Sequence, residues 1–304
     1  MQTQPQKKKK TILILSVIAL LAFLLLIVTV LISIPHLKDA RRTEAPTLPS
    51  QETAVPTETT QPPTEAPTEE PTEETTVPTL PPELNPLGKF DFQYDRHNYL
   101  RLSRGESYPG VDVSAFQGEI DWQQVKKSGI RFAMLRLGYR GYGQKGTLVK
   151  DEFIDANIRG AKEAGLSLGA YFFSQATSIE EVDEEIEFML EILGDTELHM
   201  PVAFDWEYVS EDARTANMDA DTLTAMALHF CQVMEEKGYH PIVYFNWHQG
   251  DRLMYLKELE EYPFWLALYT DRMNYPFKIE MWQWTNSGKV PGINGDVDIN
   301  VYMP

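Results

Sequence analysis

The chain has 304 residues, a formal net charge of −18 and a single cysteine, Cys231. An acidic chain repels a phosphate backbone, so we expect no nucleic-acid partner. One cysteine cannot form an intramolecular disulfide, and the fold must therefore depend on its hydrophobic core. The six histidines show no metal-ligand spacing and no phosphate-cradling glycine loop is present, so we expect no metal and no cofactor.

The amino terminus has the pattern of a membrane anchor. Residues 1–10 end in four lysines, and residues 11–34 contain no charged side chain. Such a run is long enough to cross a bilayer core of ~30 Å as a helix. A cleaved signal peptide is the alternative, but its apolar region is normally ~7 to 15 residues long and ends in a small-residue site. We predict a cytoplasmic basic tail over 1–10 and an uncleaved transmembrane signal anchor over 11–34.

Residues 35–88 form a predicted juxtamembrane and linker segment, dominated by Thr, Pro and Glu from Thr43 onward. This composition cannot bury enough apolar surface to offset the chain entropy, so we predict disorder. Frequent proline favours polyproline II geometry at ~3.1 Å per residue, which gives this stalk a reach on the order of 100 Å. Residues 89–107 are predicted to be a lead-in segment, and residues 108–304 a single domain.

Short apolar runs alternate with helical patterns through this domain. The first five runs are each followed by an amphipathic pattern, which predicts five strand–helix units. Three more runs then follow closely, "FWLALYT", "IEMWQWT" and "DVDINVY". Alternating strands and helices favour a parallel sheet, and eight strands favour closure. We predict an α/β fold, a TIM-like barrel of (β/α)5β3 type, in which functional residues lie at the carboxyl ends of the strands.

Acids interrupt three of the predicted strands. Asp112 lies near the end of the first, Asp205 and Glu207 lie in the fourth, "VAFDWEYV", and Asp296 and Asp298 lie in the eighth. Residues two apart point to the same side of a strand, so Asp205 and Glu207 share a face. In a closed barrel the first and eighth strands are neighbours and the fourth lies across, so these acids can converge. Clustered carboxylates raise at least one pKa, which keeps a carboxylic acid protonated for general-acid catalysis.

Aromatic residues occupy the same predicted level. Aromatic rings beside carboxylates suit sugars, which have apolar C–H faces and hydroxyls that need polar partners. Trp282 and Trp284 are the preferred candidates because they share a face beside the eighth strand. The glycine-rich segment "GYRGYGQKG" lacks the pattern of a nucleotide loop and is predicted to be a rim loop. The predicted sugar-binding residues are Tyr139, Tyr171, Phe173, Tyr244, Trp282 and Trp284.

Three blocks of the sequence together resemble glycoside hydrolase family 25, the lysozymes that act as N-acetylmuramidases. They are "GVDVSAFQGEIDWQQVKKSGIRFAMLRLGY", "MPVAFDWEYV" and "MWQWTNSGKVPGINGDVDINVY", and the resemblance covers residues 108–302. It implies a barrel of the same element order and, as substrate, the β-1,4 bond between N-acetylmuramic acid and N-acetylglucosamine in peptidoglycan. It also implies active-site roles for Asp112, Asp205, Glu207 and Asp298, with Glu207 matching the proposed general acid.

The roles of these acids leave alternatives. Direct retention needs carboxyl groups ~5 to 5.5 Å apart and inversion ~6.5 to 9.5 Å, and the Asp205/Glu207 spacing is compatible with both. In a third route, the 2-acetamido oxygen of the substrate attacks the anomeric carbon. Our hypothesis is Glu207 as acid and then base, with retention of configuration. Asp205 would orient the acetamido group or stabilise the oxazolinium-like charge, and Asp112 and Asp298 would tune and position the others.

Two other functions fit part of the sequence. The letters "DWEY" also resemble the end of the DxxDxDxE signature of family 18 chitinase-like hydrolases, although the upstream aspartates are absent. A barrel that binds peptidoglycan without cutting it is the second alternative.

The predicted anchor and stalk suggest where the protein works, because tethering raises the local concentration of the domain near the membrane. We expect a single-pass cell-membrane protein whose catalytic domain faces a bacterial cell wall. It would take part in cell-wall remodelling or turnover.

Overall fold

The structure, a computed structural model, describes residues 84–88 and 90–304. The predicted tail, the predicted anchor and residues 35–83 of the linker lie outside the described residues. Within the described ranges, no helix is long and apolar enough to span a membrane.

The described part of the chain forms strands and helices in the following order. The strands are β1 (Phe92–Tyr94), β2 (Leu100–Leu102), β3 (Tyr108–Val113), β4 (Phe132–Arg140), β5 (Leu148–Lys150), β6 (Ser167–Ser174), β7 (Val202–Trp206), β8 (Pro241–Asn246), β9 (Phe264–Ala267), β10 (Met281–Gly288) and β11 (Val297–Tyr302). The helices are α1 (Trp122–Lys127), α2 (Ile154–Glu163), α3 (Ile179–Leu193), α4 (Ala220–Glu236) and α5 (Trp247–Arg252), with a 3-10 turn at Ala115–Gln117.

Eight of the strands close into a barrel, in the order β3, β4, β6, β7, β8, β9, β10 and β11. Strand β3 pairs with both β4 and β11, and these two pairings complete the circle. The first five of these strands each lead to a helix, and the last three follow one another directly. This order confirms the predicted TIM-like barrel with five strand–helix units. Strand β5 was not predicted, and it extends the sheet as an antiparallel partner of β4.

Strand β11 departs from the expected parallel sheet, because it runs antiparallel to both β10 and β3. The connection from β10 is a short return over residues 289–296, and short returns join antiparallel strands. The amino end of β11 therefore lies at the same rim as the carboxyl ends of the other barrel strands. As a result, Asp298 near the start of β11 pairs directly with Asp112 near the end of β3.

Helices cover the barrel because each buries one apolar stripe. Helix α3 starts at Ser178, whose side chain accepts a hydrogen bond from the Glu181 amide. Helix α4 starts in the same way at Asp219. Helix α5 ends at Arg252, and just beyond it the Tyr255 amide donates to the hydroxyl of Thr224 on α4 at 2.9 Å. The buried stripe of α3 comprises Val182, Glu185, Ile186, Met189 and Leu193.

The barrel interior is a small second core, separate from the larger layer between strands and helices. It includes Phe132, Met134 and Trp265, all fully buried. Gly110 on β3 makes room for one of these rings, since a Cβ there would lie 2.3 Å from the Phe132 ring. Interior side chains thus fill the lower barrel, and the acids lie above them at the rim.

The lead-in segment packs on the outer face of β10. The Phe92 ring meets Trp282 edge-on at 5.0 Å between centroids, and Tyr94 meets Trp284 at 5.9 Å. Leu100 of β2 is buried in the main core. The hairpin of β1 and β2 therefore covers a strand that no α-helix follows in the described chain.

The end of the predicted linker is also held on the barrel, which differs from the disorder expected up to residue 88. The Asn85 backbone amide donates to the Pro276 carbonyl at 2.8 Å, and its side-chain amide donates to the Tyr275 carbonyl at 3.2 Å. Leu84 also forms an antiparallel bridge with Phe277, and Leu87 packs against the main core, so several contacts hold this short segment.

Candidate active site

The two acids of the segment "VAFDWEYV" lie at the end of strand β7. Asp205 is its penultimate residue and Glu207 follows its last, so both lie at the rim. Trp206 points to the opposite side, where it is fully buried and donates from Nε1 to the Ala176 carbonyl at 3.0 Å. The alternation predicted for this strand is therefore present.

All four predicted acids face one cavity of about 770 Å³ at the carboxyl-end rim. Asp112 comes from β3, Asp205 from β7 and Asp298 from β11, while Glu207 follows β7. The closed barrel thus brings together acids that are nearly two hundred residues apart in sequence. Asp296 does not join them, because it lies before β11 on the surface and pairs with Lys289 at 2.8 Å.

Asp112 is held at the centre of a buried hydrogen-bond network. Its Oδ2 accepts from the side-chain amide of Gln283 at 2.9 Å and from that of Asn300 at 2.7 Å. Gln283 in turn accepts from the hydroxyls of Tyr244 at 3.3 Å and Tyr269 at 3.0 Å. These bonds fix the orientation of the carboxyl group beside Asp298, its register partner on β11.

Asp112 and Asp298 are paired acids at the rim. Burial, followed by the negative charge of Asp112, raises the pKa of Asp298 to about 8. Burial also raises the pKa of Asp112, although its hydrogen bonds from Asn300 and Gln283 oppose that effect. Two adjacent carboxyl groups cannot both ionise easily, so this pair favours holding one proton between them.

Glu207 and Asp205 form a second coupled pair. Burial, followed by the charge of Asp112, raises the pKa of Glu207 to about 7. Burial, followed by the charge of Glu207, raises the pKa of Asp205 well above its ordinary value. Asp205 Oδ1 is buried, and within the described residues no group donates to it. The pair therefore offers one carboxyl group suited to proton transfer and one free buried acceptor.

Four of the six predicted aromatic residues line the cavity: Tyr139, Tyr171, Phe173 and Tyr244. Tyr244 is buried and packs edge-on against Trp265 at 4.9 Å between ring centroids. The rim loop contributes the exposed ring of Tyr142 to the same cavity.

Trp282 and Trp284, the preferred candidates, do not line the cavity, and this prediction needs correction. Trp282 is fully buried on the outer face of β10 and donates from Nε1 to the Leu268 carbonyl at 2.8 Å. Trp284 lies on the same outer face against Tyr94. The two residues do share a face, but the residue between them, Gln283, is the one that faces the acids.

Several residues of the site were missed from the sequence. Arg136 lies inside the apolar run of β4. Its guanidinium Nη2 lies 2.8 Å from Asp151 Oδ2. The same guanidinium lies over the rings of Phe116 and Tyr139. A charged residue within an apolar strand was a usable signal, the same one that identified Asp205. Other cavity residues carried no such signal, among them Phe116, Trp265, Tyr269 and Gln283.

Known proteins are similar to this chain in sequence or in fold. Lysozyme M1 of Streptomyces globisporus is 25% identical over 203 residues, which cover 64% of this chain and 67% of that protein. YegX of Escherichia coli strain K12 is 29% identical over 216 residues, 67% of this chain and 72% of YegX. The modular autolysin LytC from Streptococcus pneumoniae shares the fold, with a TM-score of 0.58 at 23% identity over 73% of this chain and 52% of LytC.

The family model named "Glycosyl hydrolases family 25" matches residues 111–293. The match begins within β3, continues through β10 and includes three of the four acids, and it ends just before β11, which carries Asp298. Because this model spans more than half of the chain, the protein belongs to glycosyl hydrolases family 25.

Proposed function

We propose that the protein is a lysozyme, an N-acetylmuramidase that cleaves the β-1,4 bond between N-acetylmuramic acid and N-acetylglucosamine in peptidoglycan. The observation that carries the proposal is the coupled pair Asp205 and Glu207 facing a cavity large enough for sugar rings. Family membership and the lysozyme relative support the same substrate class. Membership in family 25 also argues against the family 18 chitinase-like alternative.

Glu207 is the proposed proton donor. With a pKa of about 7 it is protonated in mildly acidic medium, so it can protonate the glycosidic oxygen as the leaving sugar departs. It then accepts a proton from water as that water attacks the anomeric carbon. One residue serves as acid and base in turn, as retention of configuration requires.

Asp205 is the proposed partner of the substrate's 2-acetamido group. Its buried Oδ1 accepts nothing from the described residues, so an acetamido N–H can occupy that oxygen. Holding the N–H there aims the acetamido oxygen at the anomeric carbon, and attack by this oxygen displaces the leaving group and forms an oxazolinium-like intermediate. The alternative, in which Asp205 acts at the anomeric carbon itself, predicts no dependence on the acetamido group.

Asp112 and Asp298 complete the proposed site without contacting the leaving group. Their shared proton holds one negative charge close to the pair Asp205 and Glu207. The charge of Asp112 raises the pKa of Glu207, which favours its protonated form. We therefore assign to these two acids a tuning and positioning role.

We also propose that residues 11–34 anchor the protein in the cell membrane and that residues 35–83 extend the barrel toward a bacterial wall. The support is the uncharged run and the Thr/Pro/Glu-rich composition. An acidic domain gains no electrostatic capture by an anionic wall, so binding must depend on sugar contacts in the cavity.

The test is full-length protein incubated with purified peptidoglycan, followed by mass spectrometry of the products. We expect new reducing ends on N-acetylmuramic acid, and we expect Glu207→Gln to lose about 100- to 10,000-fold of the activity. New ends on N-acetylglucosamine would indicate a different glycosidase. Binding without cleavage would indicate the non-enzymatic alternative.

Two controls sharpen this test. Glu187→Gln removes an exposed carboxylate on α3 and should leave activity unchanged. Proton NMR of the first-formed reducing sugar checks the stereochemistry, and an inverted anomer would refute the substrate-assisted route.

A further inference from the structure

The backbone that carries Glu207 lies beyond the hydrogen-bond ladder of the barrel. Pairing of β7 with β8 ends at Asp205, and pairing with β6 ends at Trp206. Glu207 itself has no strand partner in either register. Buried carbonyls need hydrogen-bond donors, so the carbonyls of Trp206 and Glu207 must find them outside the sheet.

Gln175 supplies one of these donors. It directly follows β6 and is fully buried. Its Nε2 donates to the Glu207 carbonyl at 2.6 Å and to the Ser174 carbonyl at 2.9 Å. Both protons of this amide are therefore used, and one of them holds the residue that carries the proposed acid.

Gln249 supplies the other donor from the opposite neighbour. It lies on α5, which follows β8, and its side chain is buried. Its Nε2 donates to the Trp206 carbonyl. Two glutamine side chains thus replace the missing strand ladder, one on each side of the end of β7.

The chain after Glu207 locks Gln175 in place. The Thr215 hydroxyl donates to Gln175 Oε1 at 2.9 Å, and Arg214 Nη1 donates to the Gln175 backbone carbonyl at 3.1 Å. Arg214 is itself paired with Glu181 of α3 through both of its terminal nitrogens. This buried network joins α3, the end of β6 and the loop after β7, so Gln175 has little freedom to turn.

We propose that Gln175 and Gln249 are positioning residues that hold the Glu207 backbone so that its carboxyl group meets the scissile bond. The proposal rests on the proposed function, in which Glu207 is the proton donor. Neither glutamine lines the cavity, so each acts only through the carbonyl that it holds. Misplacement of a catalytic group by about 1 Å can cost on the order of 100-fold in rate, whereas substrate binding by the rest of the cavity is retained.

The test uses Gln175→Met and Gln249→Met in the full-length chain. Methionine keeps the length of the side chain and removes both donors. We expect kcat to fall roughly 10- to 100-fold with KM within about 2-fold, and the alkaline limb of the pH–rate profile to move. A smaller fall in kcat is expected for Thr215→Val, which releases Gln175 without removing its donors.

The matched control is Asn157→Leu, which removes a different buried amide. Asn157 on α2 accepts a hydrogen bond from Trp122 Nε1 at 3.3 Å and lies outside the cavity. This variant should lower the melting temperature without changing kcat, KM or the pH profile of the folded protein. It therefore separates a loss of stability from a loss of positioning.

The outcomes distinguish this proposal from the one on which it rests. If Glu207→Gln is inactive while Gln249→Met and Thr215→Val keep wild-type kcat and pH profile, the positioning role is wrong and the muramidase assignment stands. If Glu207→Gln keeps wild-type activity, the assigned proton donor is wrong as well. Should Gln175→Met fail to fold, Gln249→Met and Thr215→Val still decide the question.

Discussion

At the residue scale, the site depends on where a few protons lie. Glu207 and Asp298 hold protons to near-neutral pH because both are buried beside the charge of Asp112. Burial also raises the pKa of Asp112, and the two side-chain amides that donate to it oppose that rise. Four acids can therefore share one small cavity with less charge than their number suggests.

The activity should depend on pH through Glu207. A proton donor must be protonated, so kcat/KM should fall as pH rises through about 7, the value to which burial raises the Glu207 pKa. The measurement is kcat/KM on soluble peptidoglycan fragments from about pH 4 to pH 9. In Asp112→Asn the alkaline fall of kcat/KM should move to lower pH, because the negative charge that raises the Glu207 pKa is gone. Constant activity across this range would contradict the assignment.

Stability should depend on pH through the same residue. Because burial raises its pKa from 4.5 to about 7, Glu207 stabilises the fold at low pH, and this contribution is lost as pH rises through about 7. Glu207→Gln cannot ionise, so at alkaline pH it should be more stable than wild type by on the order of 2 kcal/mol. In thermal melts, the melting temperature of Glu207→Gln should exceed that of wild type by roughly 4 to 8 °C at alkaline pH. Near the pKa of glutamate in the unfolded chain, the two melting temperatures should be equal. Equal melting temperatures at every pH would refute this; exposed Glu187→Gln is the control.

At the element scale, the ends of strands decide the function and the lead-in hairpin supports the strands. The rim receives Asp112 from a strand that points toward it and Asp298 from one that points away, because β11 is antiparallel. The hairpin of β1 and β2 covers the outer face of β10, and it buries Trp282 on the side opposite the cavity. The aromatic pair predicted to bind sugar is thus a structural contact with the lead-in.

Removing the Phe92 ring from this contact should lower the stability of the fold and leave catalysis unchanged. Phe92→Ala loses the edge-on contact with Trp282 and should cost about 2 kcal/mol in urea unfolding, less than a fully buried phenylalanine. The kcat of the folded protein should be unchanged, since the acids face the other side of the sheet. Gln93→Ala alters the exposed neighbour on the same strand and should change stability by less than about 0.5 kcal/mol. Equal effects of the two changes would show that the hairpin is not part of the stable unit.

At the scale of the whole molecule, the proposed anchor and stalk set which glycan the barrel can reach. A tethered enzyme meets its substrate at an effective concentration set by the length of the tether. The described structure begins at residue 84, and Asn85 is hydrogen-bonded to the Tyr275 carbonyl, so the proposed stalk is the chain that precedes this point. The length before it is the variable that an experiment can change.

Shortening the stalk should reduce wall cleavage by the cell-bound enzyme without affecting its chemistry. Deletion of residues 50–75 should lower the release of wall fragments from cells several-fold, while kcat/KM on soluble fragments stays the same. A stalk of equal length with its Thr, Pro and Glu residues in scrambled order should restore release, because it restores the reach. Unchanged release after the deletion would contradict the tethering proposal.

Much of the barrel and half of the site were predictable from the sequence. Five strand–helix units and three closing strands follow from apolar periodicity, and the family comparison confirms the predicted glycoside hydrolase. Asp205 and Glu207 were identifiable because charged side chains rarely interrupt a buried strand. The face of β10 that points into the barrel was not predictable, because a two-residue alternation does not say which side is inside. Gln283 points inward, where it donates to Asp112 of β3, and this contact joins the two ends of the barrel sequence.

The sequence by itself determined the family, the element order and the identity of the acids, because these depend on local pattern and on residue type. Only the tertiary structure decided which groups meet. It placed Asp298 against Asp112 through an antiparallel strand, turned the two tryptophans away from the cavity, and brought Gln175 and Gln249 to the carbonyls beside Glu207. These contacts join residues far apart in the chain, and they exist only because the barrel closes.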